Sequence, residues 1–136
     1  IKSDGLQELV KAGLGLYSDF FCFDMSVPDS IGYSKSGLTL YARFSDLELQ
    51  PSLLNESSGV WLDNFSSNGL NVQALNKFLQ QGKKVVLVSP ELHGYEYESY
   101  WLELLDFLKK NHKQMHMVGL CTDKPVDAKE FFSNVG

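Results

Sequence analysis

Runs of consecutive apolar residues alternate along this chain with segments whose apolar positions recur every three or four residues. The continuous runs are Phe20-Phe21-Cys22-Phe23, Leu38-Thr39-Leu40-Tyr41-Ala42, Gly59-Val60-Trp61-Leu62, Val85-Val86-Leu87-Val88 and the stretch 115–121. Continuous apolarity over so short a span predicts strands buried on both faces, as in a parallel sheet. The periodic segments predict helices. Asp4 is placed to cap a first one, with Gln7 three residues on, a stripe of Leu6, Leu9 and Val10, and Gly13 as its stop. The polar stretch 28–37 has room for a helical turn, and 51–56 for a short helix. Asn71 caps a helix with Val72, Leu75, Phe78 and Leu79 on one face and Gly82 at its end. Ser99 is placed to cap the strongest helix, where Trp101, Leu104, Leu105 and Leu108 share a face and Asp106 pairs with Lys110. Pro125 opens a last helix packed by Phe131 and Phe132. Strands alternating with helices predict one α/β domain over 1–136, with parallel strands and crossover helices. Part of an eight-stranded (β/α)8 TIM barrel and a complete five-stranded open sheet look alike at this level.

Charge narrows the partners. Asp and Glu outnumber Lys and Arg by 17 to 12, for a net charge of -5. A sequence-independent grip on nucleic acid needs a clustered positive face, so none is expected. The longest uncharged apolar run, 85–88, falls far short of the roughly 20 residues of a spanning helix. Cys22 and Cys121 sit inside apolar runs and are expected to be free thiols. The chain begins at Ile1 without a signal peptide and is expected to be cut from something longer. Asn55-Glu56-Ser57 and Asn64-Phe65-Ser66 match the glycosylation pattern, which arises often by chance.

Candidate chemistry lies where the apolar runs end. The first ends in Asp24 and Ser26, the second in Arg43, Ser45 and Asp46, the third in Asp63 and Asn64, the fourth in Ser89, Glu91 and His93, and the fifth in Thr122, Asp123 and Lys124. Ligands of parallel α/β folds sit at the carboxyl ends of the strands, so these side chains are expected to converge on one rim. Each has a plainer use. Asp24, Asp63 and Asp123 serve equally well as caps or turn formers. Arg43 suits an anion, or an ion pair with Asp24 or Asp63. His93, ahead of Gly94, suits a hydrogen-bonded loop position, and Glu91 suits an acid, a base, a metal ligand or a loop anchor. Trp61 and Trp101 are expected in the core, while Tyr95, Tyr97 and Tyr100 suit a pocket wall or an amphipathic surface.

Several of these segments resemble the glycerophosphodiester phosphodiesterase-like, PLC-like phosphodiesterases of TIM-barrel fold, in particular a bacterial subgroup. Ile1-Lys2-Ser3-Asp4-Gly5-Leu6-Gln7 is similar to the end of the strand that carries an active-site lysine there. The other similar segments, in order, are Phe23-Asp24-Met25-Ser26-Val27-Pro28-Asp29, Arg43-Phe44-Ser45-Asp46-Leu47-Glu48, Gly59-Val60-Trp61-Leu62-Asp63-Asn64-Phe65, Val88-Ser89-Pro90-Glu91-Leu92-His93-Gly94 and Leu120-Cys121-Thr122-Asp123-Lys124-Pro125. The resemblance implies that Ile1-Lys2 ends the third barrel strand and that the later runs are strands four to eight, the carboxyl-terminal part of a larger barrel. The family's His-Arg-Gly, Glu-x-Asp and second His segments have no match here. Of the catalytic constellation only Lys2 carries over, as a phosphate-neutralising charge. Asp24, Arg43, Asp63, Glu91, His93 and Asp123 would bind substrate. A divalent metal, Mg or Ca, is implied, with most ligands outside this chain. An open partial barrel has two bare edges, which calls for a cover or a homodimer. A bacterial, cytoplasmic setting is implied too.

Three functions compete at this stage. One is a phosphodiester hydrolase domain acting on a glycerol- or sugar-phosphodiester, with this chain by itself inactive. The second is a non-catalytic sugar-phosphate-binding or interaction module. The third is a small haloacid-dehalogenase-like phosphatase using Asp24, Ser89, Asp123 and Asp127, against which stands Ser26 where a second Asp is required.

Overall fold

A computed structural model describes residues 1–14 and 19–133. Its centre is a four-stranded, all-parallel sheet in the order β1 (Tyr41–Phe44), β2 (Gly59–Leu62), β3 (Lys84–Val88), β4 (Val118–Cys121). Five helices accompany it among the described residues: α1 (Gln7–Leu14), α2 (Val27–Lys35), α3 (Val72–Gln80), α4 (Glu98–Lys110) and α5 (Pro125–Phe131). The α/β class and the parallel pairing are as expected. No described helix is long and apolar enough to cross a membrane.

The register sorts the side chains. Ala42, Val60, Val85 and Val118 form one cross-strand row, and Phe44, Leu62, Leu87 and Leu120 the next on the same face. Helices α3, α4 and α5 cover this face, with Leu75, Phe78, Trp101, Leu104 and Ala128 in the shared core. Phe78 is fully buried and meets Phe44 edge-on at 5.1 Å. A buried phenylalanine of this kind is worth roughly 3–5 kcal/mol against alanine. Trp101 anchors α4 twice, through its ring and through Nε1, which donates to the buried Ser89 hydroxyl at 2.8 Å. A second cluster of Cys22, Tyr33 and Leu40 seats α2 beside β1 on the same side, and Val10 of α1 packs against it.

The opposite face carries no helix among the described residues. Phe21 stacks on Tyr41 and Phe23 on Trp61, both at 4.2 Å between ring centres. Arg43, Trp61, Val86 and Gly119 complete the row. Trp61 is therefore half-buried on the uncovered face rather than in the helix-covered core; only Trp101 is there.

Sequence and structure part company at several ends. The run 20–23 makes an isolated parallel bridge, Cys22 to Leu40, so four paired strands stand where five were expected. It is stopped by Asp24, whose φ of 56° turns the backbone left-handed. Ile1 lies on its far side, donating to Phe21 O at 2.7 Å and accepting from Phe23 N at 3.0 Å, the alternating pattern of a parallel pair. Asp4 caps nothing: its carboxylate accepts from Ser26 N at 3.3 Å, and left-handed Gly5 separates it from α1. Leu9 is 68% exposed, so the stripe on α1 is not a buried one. The polar stretch 28–37 holds a full helix, capped by the Ser26 hydroxyl on Asp29 N. Residues 51–56 turn without forming a helix, with Leu53 left-handed at φ 59°. Tyr97, not Ser99, precedes α4, without a side-chain cap. Asn71 caps α3 as expected, accepting from Ala74 N at 3.0 Å, and Lys110 pairs with Asp106 at 2.6 Å.

Gly59 is where two strands and a ring come together. A Cβ there would lie 2.5 Å from the Tyr41 ring and 2.7 Å from Lys84 O, while one on Gly119 meets Val86 Cγ2 at an ordinary 3.5 Å. We expect Gly59→Ala to destabilise the fold by about 1–3 kcal/mol, as overpacking does, and Gly119→Ala to change it far less. Urea unfolding of the two variants checks this; equal midpoints would contradict it.

Candidate functional site

In a parallel sheet all carboxyl ends point the same way, and the loops that follow them share one edge. The structure puts all seven of the residues singled out above on or beside that edge. It gathers them into three groups.

The first is a charge cluster around Asp24. Lys2 Nζ lies 2.5 Å from Asp24 Oδ2, and Arg43 Nη1 lies 2.9 Å from Oδ1. Arg43 reaches from the uncovered face of β1, and its Nε also contacts Glu48 Oε2 at 3.4 Å. Of the two partners offered to Arg43 by the sequence, Asp24 is the one engaged. Lys2 remains 63% exposed, Arg43 36%. A cavity of about 140 Å³ opens beside Asp24 and Arg43, walled by α2, β1 and the turn 51–57.

The second group is Asp63 with His93. Asp63 ends β2 and its side chain is 7% exposed. One oxygen, Oδ1, meets His93 Nε2 at 2.7 Å and accepts from Asn64 N at 2.8 Å. The Phe65 ring lies 4.8 Å from the imidazole. The residue pair is a carboxylate-oriented imidazole, the arrangement that fixes which ring nitrogen bears the hydrogen.

The third group is Glu91 in the short 3-10 turn Pro90–His93. Its Oε1 accepts from the Thr122 hydroxyl and from Asp123 N, while Oε2 is buried with no hydrogen-bond partner. Burial pushes the Glu91 carboxyl up, and the Ser89 and Thr122 hydroxyls outweigh it and hold the group below its ordinary value. Asp123 offers only its backbone to this group; its carboxylate is exposed and makes no contact with the other candidates.

Two residues outside that set of seven complete the edge. Asp46 accepts from Phe65 N at 2.8 Å, from Ser66 N at 3.0 Å and from the Ser66 hydroxyl. The Ser66 and Phe65 bonds hold its carboxyl below the ordinary range. Glu48 is brought under Arg43 by a turn in which Ser45 N and Glu48 N each bond the other's carbonyl at 3.2 Å. The available signal was Ser45, buried to 1% exposure and accepting from Leu47 N and Glu48 N through its hydroxyl. Both cysteines are free, and burial raises their thiols. For Cys121 the negative charges of Asp123, Asp63 and Glu91 add to burial.

Among the described residues no group of three or more His, Cys, Asp and Glu gathers closely enough to hold a metal ion. The chemistry available is anion binding by Lys2 and Arg43 in competition with Asp24, and hydrogen bonding by an oriented imidazole. No protein-family model, curated protein or solved structure matches the chain.

The depressed Glu91 carboxyl gives a pH signature. Its folded pKa lies below the ordinary 4.5, so the ionised group stabilises the fold above that value, and the contribution is lost as pH falls through the folded pKa. We expect the stability gap between the protein and Glu91→Gln to be constant from neutral pH down to about 5 and to narrow below it, measured by denaturant unfolding at stepped pH. A gap unchanged through pH 3 would contradict this.

Proposed function

We propose that this chain is the carboxyl-terminal part of a (β/α)8 phosphodiesterase barrel similar to the glycerophosphodiester phosphodiesterase-like, PLC-like enzymes, and that its rim binds the phosphate and alcohol of a glycerol- or sugar-phosphodiester. The carrying observation is the order of the parallel segments. Ile1, the bridge at Cys22, β1, β2, β3 and β4 lie side by side in chain order. A doubly wound sheet reverses its order at a switch point; a barrel does not. Right-handed crossovers in unbroken order put every helix on one side, and in a barrel the other side is the packed interior. The aromatic row of Phe21, Phe23, Tyr41 and Trp61 suits that use. Two further strands would complete the eight.

In this reading Lys2 and Arg43 exchange Asp24 for phosphate oxygens. Arg43 adds a bidentate fork and Lys2 a mobile point charge. Asp63, Glu91, His93 and Asp123 face the alcohol. The described residues do not by themselves form the divalent-metal site of the resembled family, so no step is assigned to a metal here. What these residues do is bind, orient and neutralise.

The test is titration of the protein with glycerol 3-phosphate, followed by calorimetry and by the Arg43 Nε resonance. Arg43→Ala is expected to weaken binding by roughly 10- to 100-fold, the worth of a charge-assisted contact, with Arg43→Lys intermediate and circular dichroism unchanged. Unaltered binding in Arg43→Ala, or no binding by the protein itself, would overturn the reading.

A further inference from the structure

The helix-covered face of the sheet is not closed over β4. Val118 and Leu120 share rows with the fully buried Val85 and Leu87, yet both are only half-buried. The reason is an apolar groove of about 220 Å³, lined by Leu104 and Leu108 of α4, Met115, Val118, Leu120 and Phe132. A dry cavity of about 150 Å³ holds a benzene ring, so this one has room for a phenylalanine or leucine side chain. Its floor is the helix-covered side of β4 and its walls belong to this chain. A further strand beside β4 would therefore flank the groove and not fill it. The groove is also remote from the carboxyl edge, and nothing in it depends on the phosphodiester reading.

Charge says what fits there. The chain between the groove residues Leu108 and Met115 carries Lys109, Lys110, His112 and Lys113, with His116 just after, and no acidic residue. This is a basic turn in a chain of net charge -5. A second hollow, lined by residues 110–114, opens in the turn itself. Lys109, His112, Lys113 and His116 are exposed. Among the described residues Asp106 is the one carboxylate that engages the turn, on Lys110. Lys109 and Lys110 also suit the dipole at the end of α4, but Lys113 lies beyond the Asn111 cap and outside that effect. A nucleic acid has no apolar side chain for the groove, and the turn offers it neither an arginine nor an aromatic ring to stack on. A flat lipid surface does not reach into a groove. We propose that the groove over β4 and the turn 109–116 together dock an acidic peptide segment of a partner protein, with one bulky apolar side chain in the groove and flanking carboxylates on Lys109 and Lys113.

The probe is the capped peptide Asp-Glu-Phe-Glu-Asp, titrated into the protein while the methyl resonances of Leu104, Met115 and Val118 are followed. These are expected to move in a saturable, one-to-one fashion. The same peptide with alanine in place of phenylalanine should bind roughly 10- to 100-fold more weakly, the worth of burying one phenylalanine side chain. The double variant Lys109→Glu, Lys113→Glu changes only exposed side chains, so circular dichroism should be unaltered. It should bind the phenylalanine peptide about two- to thirtyfold more weakly, as the loss of two exposed ion pairs implies, and with less dependence on salt. Methyl resonances that stay still at millimolar peptide would overturn the proposal. So would equal binding of the phenylalanine and alanine peptides, or affinity unchanged by the double variant. Concentration-dependent self-association that perturbs the same methyls without peptide would give the groove to a second copy of the chain instead. A thymidine oligonucleotide that binds the turn more tightly than the peptide, with the methyls unmoved, would give the turn to nucleic acid; either result overturns the peptide assignment.

Discussion

A parallel strand that returns to its neighbour's side by a right-handed crossover can put its helix on only one face of the sheet. In this chain the four strands are laid down in unbroken order, so that rule acts the same way at each crossover. Everything else is arranged around the asymmetry. One face gains α3, α4 and α5 and becomes the apolar core; the other keeps Arg43 and the stacked rings of Phe21, Phe23, Tyr41 and Trp61. The period-2 alternation of a strand thus assigns side chains to different tasks within a single run. Ala42 and Phe44 pack, and Arg43 between them works at the edge.

The carboxyl edge is held by bonds between neighbouring loops. Asp24 joins Lys2 to Arg43, Asp46 takes two amides and a hydroxyl of the loop after β2, Asp63 takes His93 of the loop after β3, and Glu91 takes Thr122 and Asp123 after β4. At each step an acidic side chain from one loop engages donors of the next. These bonds give the plain structural use of the residues and their candidate chemistry a common origin. A rim built from acceptors reaching sideways fixes the direction of Arg43 and His93, and fixed direction is what a binding site requires.

The sequence made β2, β3, α3 and the start of α5 legible because each had a single dominant signal: unbroken apolarity, an Asn cap with a clean helical stripe, or a proline at the first turn. It was a poor guide where two local rules competed. Asp4 and Gln7 spell a capping box, yet Asp29 draws Gly5 N and Gln7 Nε2 to itself at 2.9 and 3.3 Å and the box does not form. The run 20–23 has strand composition, yet a left-handed Asp24 ends it after one bridge. For the site, position was legible and partnership was not. Asp24 and Asp63 offered equal partners to Arg43 in the sequence. The choice between them depended on the lateral offset of the strands, which no pattern along one chain encodes.

The charge cluster also limits what the edge can select by charge. Lys2 and Arg43 face Asp24 and Glu48, two cations against two carboxylates. A phosphate arriving there exchanges one set of ion pairs for another, and for such exposed groups each pair is worth little net energy. Under the proposed function, affinity for bare phosphate would thereby be held down. In the proposed reading, discrimination among phosphate esters then falls to the other groups of the edge. In that reading the anion site locates the ligand, and the neighbouring groups of the edge decide which ligand stays.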